Sequence, residues 1–266
     1  MVLLSLHNKA VLITGGSRGI GAAAVRLFHQ AGARVAFNYR SAREAAESLA
    51  KELGEGCLAI EQDLSTPEYG RALVAKAVKA FGRIDVLVAN HGVWPPDDTP
   101  IASMSEDQWR NTLAVNLDSV FGLTQAAVDQ ILKQGRLKSD QPGEPDPPAG
   151  HIVFVSSTAG QRGEANHADY AASKGAIISL TKSLSSELAP QGISVNCVAP
   201  GWVDTDMSTD ALNDPATRAR ILSGIPLRRV ARPMEIAGPI LFLCTPYAGF
   251  ISGEILNVNG GAVLVG

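Results

Sequence analysis

A chain of 266 residues, 45% hydrophobic and 18% charged, has the make-up of a compact globular protein with a large core. Its formal charge of −3, with Lys and Arg scattered along the chain, gives no electrostatic basis for binding nucleic acid or an anionic membrane. The three cysteines, Cys57, Cys197 and Cys244, are far apart and odd in number, which excludes a disulfide framework and offers no metal-ligand spacing; they read as buried, inert thiols, and no metal is expected.

The apolar run at residues 1–6 is too short for a secretory signal, and no stretch approaches the roughly 20 apolar residues of a membrane span. A soluble, cytoplasmic protein is expected. The first strand falls at 10–14, and Thr14-Gly15-Gly16-Ser17-Arg18-Gly19-Ile20-Gly21 follows it directly and opens a helix. Glycines there let the backbone approach a pyrophosphate, while the helix start supplies unpaired N–H groups and a positive dipole end. Further strands are expected at 35–39, 57–62, 84–89, 152–156, 194–198 and 255–258. Most are unbroken apolar runs, as in a parallel sheet covered on both faces. Between them, 41–44 and 105–108 read as capping boxes, and Pro67, Pro215 and Pro233 stand at first helical positions. One long helix is expected over 107–132.

Strand and helix alternate throughout, so the expected fold is a single α/β domain over residues 1–266: a doubly wound (Rossmann) seven-stranded parallel sheet flanked by helices on both faces. Residues 134–150, which hold Pro142, Pro145, Pro147 and Pro148, break the rhythm and read as a surface loop. Because they lead into a strand, they should emerge at the N-terminal edge of the sheet, away from the carboxyl edge where ligands bind.

Tyr170 and Lys174 stand four residues apart in His167-Ala168-Asp169-Tyr170-Ala171-Ala172-Ser173-Lys174, and Ser157 lies thirteen residues before the tyrosine. On a helix, residues i and i+4 share a face. A phenol ionises near pH 10, so proton exchange near neutrality needs roughly 4 kcal/mol of help. A cation about 4 Å away at an effective dielectric of about 20 supplies that much. Lys174 is therefore expected beside the Tyr170 hydroxyl, holding its pKa down.

With the glycine cradle, Tyr170, Lys174 and Ser157, the chain resembles the classical short-chain dehydrogenase/reductase family over essentially its whole length. Further motifs fall in that family's order: Asp63 after the third strand; Asn90-His91-Gly92, with His91 where the family has alanine; Asn116 in Val115-Asn116-Leu117; and Pro200-Gly201 with Val203 and Thr205. The resemblance implies a catalytic set of Asn116, Ser157, Tyr170 and Lys174. Tyr170 would be the proton donor, Ser157 the holder of the carbonyl oxygen, and Asn116 the holder of a water linking Lys174 to solvent. It implies cofactor contacts from Gly15, Ser17, Arg18, Gly19, Ile20, Gly21, Tyr39, Arg40, Ser41, Asp63, Leu64, Asn90, Gly92, Tyr170, Lys174, Pro200, Gly201, Val203 and Thr205.

The cofactor's identity is a matter of charge. NAD binding usually needs an acid on the ribose 2′-OH at the end of the second strand. Here Tyr39 stands at that place, and by the family match Arg18 and Arg40 flank a 2′-phosphate, which guanidinium groups grip well. NADP(H) is the expected cofactor.

The reaction implied is hydride transfer between the nicotinamide and a ketone or secondary alcohol. The C-terminal half resembles the 3-oxoacyl-[acyl-carrier-protein] reductase branch, which brings a 3-oxoacyl thioester on an acyl carrier protein into view. Where that branch often has a basic residue before a glutamate, this chain has Ser186-Glu187, which leaves a small free ketone or alcohol open. An NAD-linked alcohol or sugar dehydrogenase and a non-catalytic NADP(H) sensor are the alternatives. Residues 93–98 and 202–225 should form the substrate wall and its lid. His167 reads as a surface or capping residue, Asp169 as solvated, and His91 has no assigned role. By resemblance, helix 107–132 and the helix carrying Tyr170 build a homotetramer.

Overall fold

The computed structural model describes residues 4–136 and 146–265. Seven strands, β1 (Ala10–Ile13), β2 (Arg34–Tyr39), β3 (Cys57–Glu61), β4 (Val86–Ala89), β5 (Gly150–Val155), β6 (Ile193–Pro200) and β7 (Ile255–Val258), form one parallel sheet in the order β3-β2-β1-β4-β5-β6-β7. β1 pairs with both β2 and β4, Val11 lying opposite Val35 on one side and Val86 on the other. After β3 the chain crosses back to lay β4 beside β1, so the strand order reverses there. In such sheets ligands bind at that reversal, beyond the carboxyl ends of the strands.

Ten helices among the described residues cover the sheet: α1 (Gly19–Gln30), α2 (Arg43–Leu53), α3 (Pro67–Phe81), α4 (Glu106–Leu113), α5 (Ser119–Gln134), α6 (Thr158–Arg162), α7 (Ala168–Leu188), α8 (Thr209–Asn213), α9 (Pro215–Ser223) and α10 (Pro233–Phe242). Alternation along the strands splits the core in two. Val11, Ile13, Val35, Phe37, Val86 and Val88 pack under α1, α2 and α10. Leu12, Ala36, Leu87, Ile152 and Phe154 pack under α3, α5 and α7. Both faces are buried, which is why the strands read as continuous apolar runs. On the second face α3 and α5 meet backbone to backbone: a Cβ at Gly122 would lie 2.0 Å from the Pro67 carbonyl oxygen.

The three prolines sit at helix starts as expected; Thr66 caps α3 by accepting from the Tyr69 N–H, and Asp214 caps α9 by accepting from the Thr217 N–H. The capping box at 41–44 does not form. Ala42 is the N-cap of α2, and Ser41 lines the cavity described below. At 105–108 only half the box forms: Ser105 accepts from the Gln108 N–H, while the Gln108 side chain donates to Asp169. The long helix at 107–132 is two helices joined by a π-turn, Ala114–Asp118. Such turns insert one extra residue and gather at functional sites. The 134–150 loop lies largely outside the described residues; Gln134 closes α5, clasping the Ile84 backbone, and Gly150 opens β5 at the N-terminal edge of the sheet.

Candidate active site

The turn after β1 is built for close approach. Gly15 has φ +65°, and a Cβ on Gly21 would lie 2.0 Å from the Gly15 carbonyl oxygen. Asn38 holds this turn from β2, its Oδ1 accepting from the Gly15 N–H at 2.8 Å and its Nδ2 donating to the Gln62 carbonyl at 2.9 Å. Asn90, just past β4, donates from Nδ2 to the Thr14 and Gly15 carbonyls. At the start of α1 the N-cap Arg18 places no side chain on the first-turn N–H groups, which stay available to an anion. These features fit a dinucleotide pyrophosphate.

One cavity of about 370 Å³ runs along the carboxyl edge of the sheet. At one end stand Tyr39, Arg40, Ser41, Asp63 and Leu64; in the middle Gly15, Ser17, Arg18, Gly19, Ile20, Gly21, Asn90 and Gly92. At the other end are Ser157, Tyr170 and Lys174, with Pro200, Gly201, Val203 and Thr205 forming the opposite wall. The structure thus gathers on one surface every residue singled out for the cofactor, from segments across the whole chain. Of the implied catalytic and cofactor residues, Asn116 alone does not line the cavity; it is buried within the π-turn, against Val93 and Ser173.

The side chains at the Tyr170 end differ from expectation in one respect. Lys174 Nζ donates to the Val155 carbonyl at 2.9 Å and lies 5.8 Å from the Tyr170 ring centre, without a hydrogen bond to the hydroxyl. Burial pushes the phenol up to about 12, opposed by its hydrogen bond with Ser157 and reinforced by the Glu164 charge. Burial also pushes Lys174 down, to about 8. Desolvation, not the cation, sets the tyrosine, and the phenol is held protonated.

Ser157 is placed by its role as N-cap of α6, its Oγ accepting from the Ala159 N–H. Ser156 points the other way, its hydroxyl donating to the Lys174 carbonyl at 2.7 Å in the core. The Asn116 amide is held on both sides: Oδ1 accepts from the Val93 N–H at 2.8 Å, and Nδ2 donates to the Val93 carbonyl and to Ser173 Oγ. Its side chain clamps the Val93 backbone.

His167 is the N-cap of α7, one of the two places expected of it, but it is buried rather than at the surface and makes no side-chain cap bond: its ring lies 3.9 Å from Trp94 and its Nε2 is bonded to Asp98 at 3.0 Å. The expectation of a solvated Asp169 is corrected. Asp169 is wholly buried, accepting from Thr112 at 2.7 Å and Gln108 at 3.2 Å, so it fastens α4 to α7. Cys57 is half-buried, unlike Cys197 and Cys244. Trp94 meets Tyr170 edge-on at 4.6 Å and walls the site with Trp202, Met207 and Ala211. The stretch 202–225 contains the 3-10 turn Asp206–Ser208, α8 and α9, and an ion pair from Arg18 to Asp206 (3.3 Å) ties it to the cradle.

Two pH effects follow. With the roles the family resemblance implies, Tyr170 as proton donor and Lys174 as its cation, reduction would need the phenol protonated, which holds throughout the neutral range, and the ammonium charged, which holds below about 8. The kcat/KM for carbonyl reduction is expected to stay level up to about pH 8 and fall above it; a rate still climbing toward alkaline pH would contradict this. In stability, burial pushes His91 down to about 3 and His151 to about 4. Both rings are neutral in the fold, whereas the unfolded chain takes up protons near pH 6.5. Their stabilising contribution is complete above about pH 6.5 and is lost as the pH falls through those values. Urea unfolding at pH 7 and 4.5 should show the loss, at up to about 1.4 kcal/mol per pH unit for each histidine.

A phosphate cradle at the strand-order reversal, with a buried tyrosine and lysine at the far end of the same cleft, places the protein among the dinucleotide-dependent oxidoreductases of Rossmann fold. Comparison with known proteins narrows this. The family described as Enoyl-(Acyl carrier protein) reductase matches residues 15–263. The chain is 36% identical over 262 residues to the 3-oxoacyl-[acyl-carrier-protein] reductase FabG of Vibrio cholerae, covering 98% of this chain and 100% of that protein. A short chain dehydrogenase from Burkholderia cenocepacia in complex with NADP superposes with a TM-score of 0.85 at 32% identity, over 97% of this chain and 98% of that one. The 3-ketoacyl-(acyl-carrier-protein) reductase of Brucella melitensis complexed with NADH gives 0.86 at 31% identity, over 98% and 100%. The chain belongs to the short-chain dehydrogenase/reductase family.

Proposed function

We propose that the protein is an NADPH-dependent reductase of ketones, with 3-oxoacyl thioesters as the first substrate class to try. The observation that carries this reading is the buried Tyr170 hydrogen-bonded to Ser157, with Lys174 behind it, at one end of a cavity whose other end presents Arg40 and no acid at the tip of β2. When bound, the nicotinamide supplies the hydride.

The chain supplies the rest. Ser157 holds the carbonyl oxygen against the phenol, a positioning role. Tyr170, kept protonated by burial, gives its proton to that oxygen as charge develops. Lys174 then stabilises the phenolate left behind, and Asn116 fixes the Gly92–Val93 backbone that packs against the ammonium; a Cβ on Gly92 would lie 3.2 Å from both Lys174 Nζ and Asn116 Oδ1. The indoles of Trp94 and Trp202 with Met207 give an apolar floor for the carbon chain.

A second reading draws on Glu164, which lines the cavity near Tyr170 and whose charge acts on its phenol. An acid there suits a small hydroxylated ketone better than an anionic one, and Ser186 offers no cation to an acidic carrier protein. Steady-state assays with a free 3-oxoacyl thioester, its carrier-protein ester and a matched hydroxyketone separate the two. Thioester turnover supports the first reading, and hydroxyketone turnover alone supports the second.

The exposed Trp109, Phe121 and Leu132 on α4 and α5 support assembly into a homotetramer through these helices. Light scattering giving a monomer would refute it. No helix among the described residues is long and apolar enough to cross a membrane.

A further inference from the structure

His91 takes the alanine's place in the family's Asn-Ala-Gly motif, and its ring is bonded at both nitrogens. Nδ1 lies 2.8 Å from Thr14 Oγ1 and Nε2 lies 2.7 Å from Ser119 Oγ. Donor counting fixes the direction of each bond. Thr14 Oγ1 already accepts from the N–H groups of Asn90 and His91, at 2.9 and 3.1 Å. Its own hydrogen must therefore go outward, and His91 Nδ1 at 2.8 Å is nearer than the Val88 carbonyl at 3.4 Å. Ser119 Oγ donates to the Val115 carbonyl at 2.8 Å, so it receives the proton of His91 Nε2. The bonds run one way, from Thr14 through a neutral Nε2–H imidazole to Ser119 and Val115.

The two ends of this chain are functionally distinct. Thr14 begins the phosphate cradle, whose Gly15 packs so closely that a Cβ there would lie 3.1 Å from the His91 Cα. Val115 belongs to the π-turn, borders the cavity and immediately precedes Asn116, which in turn grips Val93. We propose that His91 is a positioning residue: its imidazole is a strut that sets the π-turn carrying Asn116 relative to the cofactor cradle. Desolvation, with the Lys174 charge adding and a hydrogen bond to the Val115 backbone and the Asp63 charge opposing, keeps the ring neutral through the working pH range. As a positioning role, this rests on the oxidoreductase reading for its effect on turnover but not for its effect on cofactor binding.

The test uses the full-length protein and two readouts. Nitrogen-15 spectra of the histidine rings should show His91 as the neutral Nε2–H tautomer from pH 5 to 9; an Nδ1–H tautomer or a protonated ring overturns the proposal. NADPH affinity is then measured by fluorescence for His91→Ala, Ser119→Ala and the double variant. Each single change should weaken binding about fivefold, as expected for one lost hydrogen bond, with the double variant no worse than either. Additive losses, or affinities unchanged while only Tm falls, would make His91 a mere filler of space. Should His91→Ala not fold, His91→Asn, which keeps an acceptor for Thr14 but cannot reach Ser119, should match the Ser119→Ala loss. Turnover should fall in parallel; absence of turnover in the unsubstituted protein would defeat the oxidoreductase reading and leave the affinity cycle decisive for the strut.

Discussion

Tyr170→Phe should lower turnover by about 10²–10⁴-fold while NADPH affinity stays within about threefold of the starting value. The substitution removes one oxygen from a side chain that is 8% exposed and packed edge-on against Trp94, so ring packing survives and only the acid is lost. Ser157 keeps its N-cap bond to Ala159, and Lys174 keeps its bond to Val155, because neither depends on the phenol. The expected defect is therefore in kcat rather than in folding or cofactor binding. Unchanged turnover would remove Tyr170 from the chemistry.

Arg40→Ala should weaken NADPH about 10–100-fold and leave NADH nearly untouched, the cost of one or two charge-assisted hydrogen bonds to a phosphate. Two arginines line the cavity, Arg40 at its β2 end and Arg18 by the glycine turn, and they are not equivalent. Arg18 is paired with Asp206 at 3.3 Å, whereas among the described residues the Arg40 side chain has no hydrogen-bond or ion-pair partner. On the proposed NADPH reading Arg40 is the guanidinium that would meet the 2′-phosphate, and Arg18→Ala should cost less. Asp206→Ala should raise NADPH affinity by releasing Arg18, an effect of only a few fold because the pair is largely exposed. Equal losses of NADPH and NADH on Arg40→Ala would contradict the assignment. Competition binding with the two cofactors measures all three variants.

Strands and cleft were legible because both are written in short, local signals. Seven apolar runs marked the sheet, and the glycines after β1 marked its ligand edge, since only backbone without Cβ fits where Gly21 meets Gly15. Less was legible where a side chain answers to a distant partner. Asp169 looked solvated because its neighbours in sequence are unremarkable; its partner Thr112 lies 57 positions away. Arg18 meets Asp206 across 188 positions, and His167 meets Asp98 across 69. The π-turn was hidden inside a run that keeps helical periodicity, since one inserted residue barely disturbs the pattern. Helical spacing did bring Tyr170 and Lys174 to one face, but spacing cannot say where a four-carbon chain ends, and the ammonium turned to the Val155 carbonyl. Asn38, which holds the cradle, carried no motif, although a buried polar residue within an apolar strand was a usable signal.

The central claim is that this site transfers hydride from NADPH to a ketone, and the direct measurement is nicotinamide absorbance during incubation with NADPH and a carbonyl panel that includes 3-oxoacyl thioesters and hydroxyketones. The reduced-nicotinamide signal should fall, matched mole for mole by the secondary alcohol, faster with NADPH than with NADH, and should stay constant in Tyr170→Phe. Tight NADPH binding without alcohol formation from any carbonyl would contradict it and make the protein a cofactor sensor.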